Sequence, residues 1–216
     1  MGQRVKCSAL VLSANSYGET SKMLTALTDA FGKISVSAKG AAKHTGPFLS
    51  CTQEFCFSNM ELSEGRNGIY TLCECDLINP FYALRENLDV LYAAYEIAKA
   101  VLTVSMEDNP DENLLRLTLN TLYFFCNLSE KAKTSVELFA QVPSRIEFAK
   151  TVFYIRLACD QGFFDFPETF REKATALAVN HITECDLKEL FAFALSPSAM
   201  EELSEISERA KSAVLD

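Results

Sequence analysis

The spacing of apolar residues changes once along this 216-residue chain, at Asn79-Pro80. Upstream, apolar side chains tend to stand at every second position, which places them on one face of a β-strand. Downstream they recur every three or four residues, a spacing typical of one face of a helix. The first such stripe runs to about Met106 and consists of Leu84, Leu88, Leu91, Tyr95 and Ala98. This change predicts a β-rich N-terminal part followed by an all-α part.

The first eighty residues contain five candidate strands, at 5–11, 23–28, 34–38, 53–62 and 67–77. Asn67-Gly68 is a dipeptide that accepts the positive φ angles of a tight hairpin. Residues 40–47 are small, polar and basic, as expected of a loop. Five short strands without a long helical pattern predict a small closed or sandwiched β domain over residues 1–80.

Residues 81–216 carry the start and stop signals of further helices. These are predicted at about 110–126, 144–162, 167–178, 186–194 and from Ser196-Pro197 onward. Asn109 is the expected cap of the first of them, and Ser144 to Glu147 form the expected capping box of the second, which Gly162 ends. The sequence therefore predicts a multidomain α+β protein with domains at 1–80 and 81–216.

Charge is distributed unevenly along the chain. The net formal charge of −9, taken over the whole chain, argues against a nucleic-acid binder, because neutralising phosphates needs clustered Lys and Arg. Residues 1–43, however, carry six basic and two acidic side chains, whereas residues 81–216 carry thirteen basic and twenty-two acidic ones. A basic N-terminal segment is thus predicted to be attached to an acidic body.

The cysteines and histidines favour neither a metal site nor catalysis. The eight cysteines form no C-x2-C pair and most have apolar neighbours, which favours reduced, mostly buried thiols over a metal site or disulfides. His44 and His181 lie in no recognisable catalytic or metal motif, and no phosphate-binding loop is present. No apolar run approaches the ~20 residues of a membrane span, and no secretory signal is visible. We expect a cytoplasmic protein that is not an enzyme and has no cofactor.

A basic loop beside a small β-barrel favours nucleic-acid binding, since oligonucleotide-binding barrels use cations to follow phosphates and rings to stack on bases. The candidate residues are Lys33, Lys39, Lys43, His44 and Arg66, with Tyr70 and Phe48 as candidate stacking rings. The alternative is that the lysines are ordinary solubilising charges and that both rings belong to the core.

Several longer segments match a known family. They are residues 9–12 (ALVL), 17–23 (YGETSKM), 32–41 (GKISVSAKGA), 70–78 (YTLCECDLI) and 81–88 (FYALRENL), with weaker matches at 160–163 and 190–193. In this order they resemble the RecO family of bacterial recombination mediators over nearly the whole chain. The A-K-G-A element at Ala38 to Ala41 is the most specific of them.

The resemblance implies an N-terminal OB barrel followed by a helical domain, in a bacterial, nucleoid-associated protein. It implies binding of single- and double-stranded DNA and annealing of complementary strands, with no chemical step. Together with RecR, such a protein helps RecA to replace the single-strand binding protein SSB on DNA, and its helical domain contacts the acidic C-terminal tail of SSB. Lys39 matches the family's basic strand-to-loop position and Lys33 the polar position after Gly32, whereas Lys43 and Arg66 rest on local charge.

The sequence departs from the family pattern in three places. Many members carry four zinc-binding cysteines in the C-terminal half, but only Cys159 and Cys185 lie near that position here, so no zinc is expected. The loop after Gly40 is poorer in arginine than is usual. The sequence stops at Asp216, where relatives continue with a short basic tail, so it is either truncated or a member without that tail. Given the net charge, we expect weak and strongly salt-sensitive DNA binding.

Two other functions stay open at this point. One is an acidic scaffold that docks RecR and SSB and leaves the DNA contacts to its partner. The other is an enzyme, which would need a polar pocket that the sequence does not predict. Cations for an acidic tail are available, although they are equally consistent with plain surface charge, at Lys99, Arg116, Lys131 and Lys133.

Overall fold

A computed structural model describes residues 3–43, 46–163 and 165–215 of the chain. Backbone contacts divide the chain into two units. The barrel unit comprises Met1–Phe81 together with Ser105–Leu115, and the helical unit comprises Tyr82–Val104 and Arg116–Asp216. The stretch Ser105–Leu115, which lies among the predicted helices in the sequence, therefore belongs with the barrel.

The barrel unit is a closed barrel of five strands. They are β1 (Arg4–Tyr17), β2 (Ser21–Thr28), β3 (Gly32–Ala38), β4 (Phe57–Ser63) and β5 (Ile69–Asn79). Their order around the barrel is β1-β2-β3-β5-β4, and β4 closes it by pairing with β1. Neighbouring strands are antiparallel except for β3 and β5, which run parallel. The predicted small β-barrel is confirmed.

Alternating side chains fill the interior of the barrel. In β3, Ile34, Val36 and Ala38 are buried in the core, and the residues between them are half-exposed. The register of β1 shifts between Val11 and Ser13, a β-bulge that lets residues on both sides of it contact the core. The rest of the interior is filled mainly by Ala9, Leu24, Ala26, Met60, Leu62 and Leu72.

The fourth strand begins later than predicted. Residues 53–56 form turns, because this part of the chain folds back on β1, where the N–H of Phe55 donates to the carbonyl of Val11 at 2.7 Å. Asn67 and Gly68 adopt the positive φ angles expected of them, 61° and 73°, within a short 3₁₀ turn at Arg66–Gly68 that leads into β5.

In the described part of the chain, six α-helices follow the barrel strands, which confirms the predicted fold class. They are α1 (Leu88–Val104), α2 (Glu112–Ala132), α3 (Val136–Ala140), α4 (Val142–Asp160), α5 (Lys173–Glu184) and α6 (Pro197–Leu215). A 3₁₀ turn at Tyr82–Glu86 precedes α1. The short helix α3 has no counterpart in the sequence-based expectations.

Two of the predicted helix signals are wrong. Asp111, not Asn109, caps α2, since its carboxylate accepts the N–H of Leu114 at 2.9 Å. Ser144 lies inside α4 and donates its hydroxyl to the carbonyl of Gln141, so the expected capping box is absent.

Other helices lie away from their predicted positions. The structure has α5 at Lys173–Glu184 instead of 167–178, and residues 186–194 include turns but no helix. On α1, Leu88 and Tyr95 are exposed, because a different face is buried. That face consists of Val90, Ala93, Ala94, Ile97, Ala98, Ala100 and Val101.

The cysteines are distributed over both units. None of the eight, all of which are described, forms a disulfide. Cys7, Cys51 and Cys56 are buried and the other five are half-exposed, so the expectation that most are buried is wrong. Within the described ranges, no three His, Cys, Asp or Glu side chains converge as a metal site requires. Of the helices described, none combines the length and apolar character of a membrane span.

Candidate nucleic-acid interface

Two rows of side chains cross the outer surface of β1, β2, β3 and the start of β5. Strand register places Ser13, Thr25, Ser35 and Ile69 in one row and Asn15, Met23, Ser37 and Thr71 in the next. Their strand neighbours Ala14, Leu24 and Val36 contact the core, so the side chains of the two rows point outward. We call these eight residues, all exposed or half-exposed, the hydroxyl face.

The hydroxyl face offers hydrogen-bonding groups but no carboxylate. Five of its eight residues are Ser or Thr, and the Asn15 amide donates to the Ser13 hydroxyl at 3.2 Å. Short hydroxyl and amide side chains are frequent partners of phosphate and sugar oxygens. The second and third strands of an OB barrel are also the surface that usually holds an oligonucleotide. The face is therefore chemically suited to a polynucleotide backbone.

Lys39 and Lys43 lie together in the loop that leaves β3, and both are exposed. Gly40, with φ 75°, turns the chain between them, and the N–H of Lys43 donates to the Gly40 carbonyl at 3.2 Å. The N–H of Ala42 donates to the carbonyl of Thr20 at 2.9 Å, which fixes this loop against the turn between β1 and β2. Two of the predicted cations thus lie in one loop at one end of the hydroxyl face.

Lys33 lies at the other end of β3. Its N–H donates to the carbonyl of Met106 at 2.9 Å, and its side chain is half-exposed. Six residues along a strand separate it from Lys39, which corresponds to about 20 Å. The structure therefore does not bring Lys33 together with Lys39 and Lys43.

The remaining predicted residues do not lie on the hydroxyl face. Tyr70 is opposite Val36 and packs against the core, with its ring 5.8 Å from that of Phe31. Burial raises the pKa of Tyr70, and the charges of nearby carboxylates add to this. Phe48 also packs against the core. Arg66 begins the turn before β5, but its side chain, like the whole of His44, lies outside the described residues.

Another part of the barrel's outer surface is rich in carboxylates. A cavity of about 550 Å³ is lined by residues of β1, β4 and β5, among them Glu61, Glu74 and Asp76, and by Asp29 in the turn after β2. Glu61 is bound by Arg4 at 2.7 Å, and the hydrogen bond from that guanidinium lowers the pKa of its carboxyl. The barrel therefore has one outer surface without carboxylates and another with four of them.

The helical unit contains an apolar pocket with a basic rim. Its volume is about 310 Å³, and it is lined by Phe124, Asn127, Leu128, Lys131, Ala132, Leu138, Gln141 and Arg145. The Arg145 guanidinium lies 5.3 Å from the ring centre of Phe124 and 5.2 Å from that of Phe148, an arrangement that orients it by cation–π contacts. No carboxylate occurs among these lining residues. The pocket suits a peptide end that combines an apolar side chain with negative charge.

Sequence reasoning found only part of this pocket. Lys131, one of the candidate cations for an acidic tail, lines it, whereas Lys133 instead pairs with Glu86. Lys99 and Arg116 are exposed and are not among the lining residues. Arg145 was missed, because its neighbourhood resembles a capping box and only the packing of α2 against α4 places its guanidinium at the rim. No signal in the local sequence identifies it.

The strand order of the barrel and the helices that follow it define an OB-fold protein with a helical C-terminal part. The family model described as "Recombination protein O N terminal" matches residues 1–81. The DNA repair protein RecO of Acetivibrio thermocellus is 30% identical over 95% of this chain and 89% of its own length. The chain belongs to the RecO family of DNA repair proteins.

Further relatives agree with this assignment. The DNA repair protein RecO of Bacillus subtilis is 36% identical over 54% of this chain and 46% of its own length. The protein of the same name from Clostridium kluyveri is 27% identical over 94% of this chain and 77% of its own length. Similarity thus extends beyond the barrel into the helices.

Proposed function

We propose that the hydroxyl face, with Lys39 and Lys43 at its end, binds the backbone of single-stranded DNA and, more weakly, of duplex DNA. The observation that carries this proposal is the absence of carboxylates from eight neighbouring outward positions in a chain whose net charge is −9. Hydroxyl groups form hydrogen bonds with phosphates without adding charge repulsion. The two lysines displace counterions from the DNA phosphates, which favours binding. Lys33 contributes at the opposite end of β3. Arg66, whose side chain lies outside the described residues, is included in the proposal because of its charge.

The activity proposed for this surface is the annealing of complementary strands. Annealing needs positive charge to offset the repulsion between two phosphate backbones, and a surface that holds the backbone leaves the bases accessible for pairing. With RecR, the protein would help to load RecA onto SSB-coated DNA at the bacterial nucleoid. These steps require no catalysed reaction, nucleotide or metal ion.

The proposed partner of the basic-rimmed pocket is the acidic C-terminal tail of SSB. Apolar side chains of the tail would enter the pocket at Phe124 and Leu128, while Lys131 and Arg145 neutralise its carboxylates. Two phenylalanine rings hold the Arg145 guanidinium in place, so little side-chain entropy is lost on binding. This pocket also favours the alternative function, a scaffold that docks SSB and RecR with little DNA binding of its own.

Replacing Lys39 and Lys43 by Ala tests the proposed DNA surface. We expect weaker binding to a single-stranded oligonucleotide and a flatter dependence of log K on log salt, by about 0.7 for each lost phosphate contact. The measurement is a fluorescence-anisotropy titration at several salt concentrations. The matched control replaces Lys173 and Lys188, exposed lysines of the helical unit, and makes the same change in net charge. Equal slopes for both variants would favour the scaffold function.

A further inference from the structure

The stretch Ser105–Leu115 adds negative charge to the barrel unit. It contains Glu107, Asp108, Asp111 and Glu112 and no basic residue. Its first part is a tight turn, in which Met106 and Asn109 pair across the two exposed carboxylates Glu107 and Asp108. We call Met106–Asn109 the acidic turn.

The acidic turn is fixed against the first residues of β3. Glu107 pairs with Gly32 in an antiparallel bridge, and the Lys33 N–H donates to the Met106 carbonyl at 2.9 Å. The fit leaves no room for a side chain at Gly32, where a Cβ atom would overlap the Met106 carbonyl oxygen. The backbone that carries the two carboxylates is therefore held beside the start of β3.

The two ends of the hydroxyl face consequently differ in charge. Lys39 and Lys43 adjoin one end, whereas Glu107 and Asp108 adjoin the end at which β3 begins. The field of the turn also reaches β5, since the charge of Asp108 contributes to raising the pKa of Tyr70. A polyanion lying along β3 is thus attracted at one end, whereas at the other end the two carboxylates oppose the attraction of Lys33.

We propose that the acidic turn determines specificity, by repelling DNA at the Lys33 end and thereby favouring single strands over duplex. The proposal rests on the proposed binding of DNA at the hydroxyl face. A duplex carries one charge for every 1.7 Å or so of its axis, about twice the linear density of one of its strands. The same two carboxylates therefore lower the affinity for a duplex more than the affinity for a single strand.

The test is the double variant Glu107→Gln, Asp108→Asn of the full chain. Both changes keep the size of the side chain and remove only its charge, and Asn tolerates the positive φ of 55° at position 108. We expect single-strand affinity to rise about two- to threefold and duplex affinity about five- to tenfold, as for the loss of two exposed like charges. Both gains should shrink at high salt, since exposed charges are screened within about 10 Å at 0.1 M salt.

The matched control is Glu74→Gln, Asp76→Asn, which changes the net charge equally at two exposed carboxylates of β5 that line the other outer surface. Equal gains in the two double variants would overturn the proposal, because they would reflect net charge alone. If the Glu107→Gln, Asp108→Asn variant gains no DNA affinity although binding does depend on Lys39 and Lys43, the inference is wrong. The proposed function would then still stand. If DNA affinity does not change when Lys39 and Lys43 are replaced, the proposed function itself is wrong.

Discussion

Both the backbone conformation and the packing at position 32 favour glycine. Its φ of 65° lies in the left-handed region, and the carbonyl oxygens of Met106 and Asn109 occupy the space that a Cβ atom would need. We expect Gly32→Ala to lower the free energy of unfolding by about 2–4 kcal/mol, since backbone strain and a displaced turn add together. Urea denaturation measures the loss.

Gly18 supplies the control for this prediction. Its φ is 64°, and a Cβ atom at this position would meet nothing within 4 Å beyond its chain neighbours. Gly18→Ala should therefore cost only the conformational part, about 1 kcal/mol. If both variants lose the same amount, the contact between Gly32 and the acidic turn contributes nothing to stability.

The strands are easier to predict from the sequence than the helices. A half-buried strand such as β3 shows its inward face by strict alternation, so its position follows from the sequence. On α1, by contrast, small residues such as Ala93 and Ala94 form the buried face and the large Leu88 stays exposed, so side-chain size misidentifies the face. Asn109 and Asp111 are both good caps, and only the tertiary structure selects between them.

Helix α5 depends on another helix for its N-terminus. Glu172, at the cap position, makes no side-chain capping bond, and the Glu202 carboxylate of α6 instead accepts the N–H groups of Arg171 and Glu172 at 2.6 Å and 3.1 Å. Burial acts to raise the pKa of Glu202, but the Thr175 hydroxyl, the two N–H groups and the Arg171 charge together outweigh it and hold the pKa below the ordinary value of 4.5. The ionised carboxylate therefore stabilises the fold.

We expect Glu202→Gln to lower the thermal midpoint at pH 7, because an amide cannot accept both N–H groups as a carboxylate does. A carboxyl whose pKa is depressed on folding contributes stability above its unfolded pKa and loses it as the pH falls through its folded pKa. The difference between the variant and the parent chain should thus shrink below about pH 4.5. Glu205→Gln is the control, since that carboxylate binds Arg171 at 2.6 Å but is 60% exposed. An equal loss in both variants would contradict the capping role of Glu202.

Charge in this protein is arranged by surface and not only by position in the sequence. The basic segment 1–43 was visible in the sequence, and Lys39 and Lys43 follow from it. The hydroxyl face was not predicted, because outward Ser and Thr residues look like any strand exterior until the register aligns them across four strands. The Arg145 pocket likewise arises only where separate helices meet.

The two proposed surfaces belong to different units. The effects of substitutions in one surface should therefore be separable from the effects of substitutions in the other. Lys131→Ala, Arg145→Ala should weaken binding of an SSB tail peptide at least tenfold, in line with the loss of two cations from a partly apolar pocket. In the same variant, the rate of annealing should fall more for SSB-coated strands than for naked strands. Lys39→Ala, Lys43→Ala should reduce annealing of both substrates and leave peptide affinity unchanged.

Fluorescence anisotropy of a labelled tail peptide and a strand-annealing assay on naked and SSB-coated DNA measure the two effects. Arg145→Lys is the informative intermediate, because it keeps the charge but loses the planar group that lies over the rings of Phe124 and Phe148. Peptide affinity close to that of the parent chain would mean that charge alone matters at this position. Should the pocket variant reduce annealing of naked DNA as much as that of coated DNA, the two surfaces would act as one site, and the assignment of separate roles to barrel and helices would be wrong.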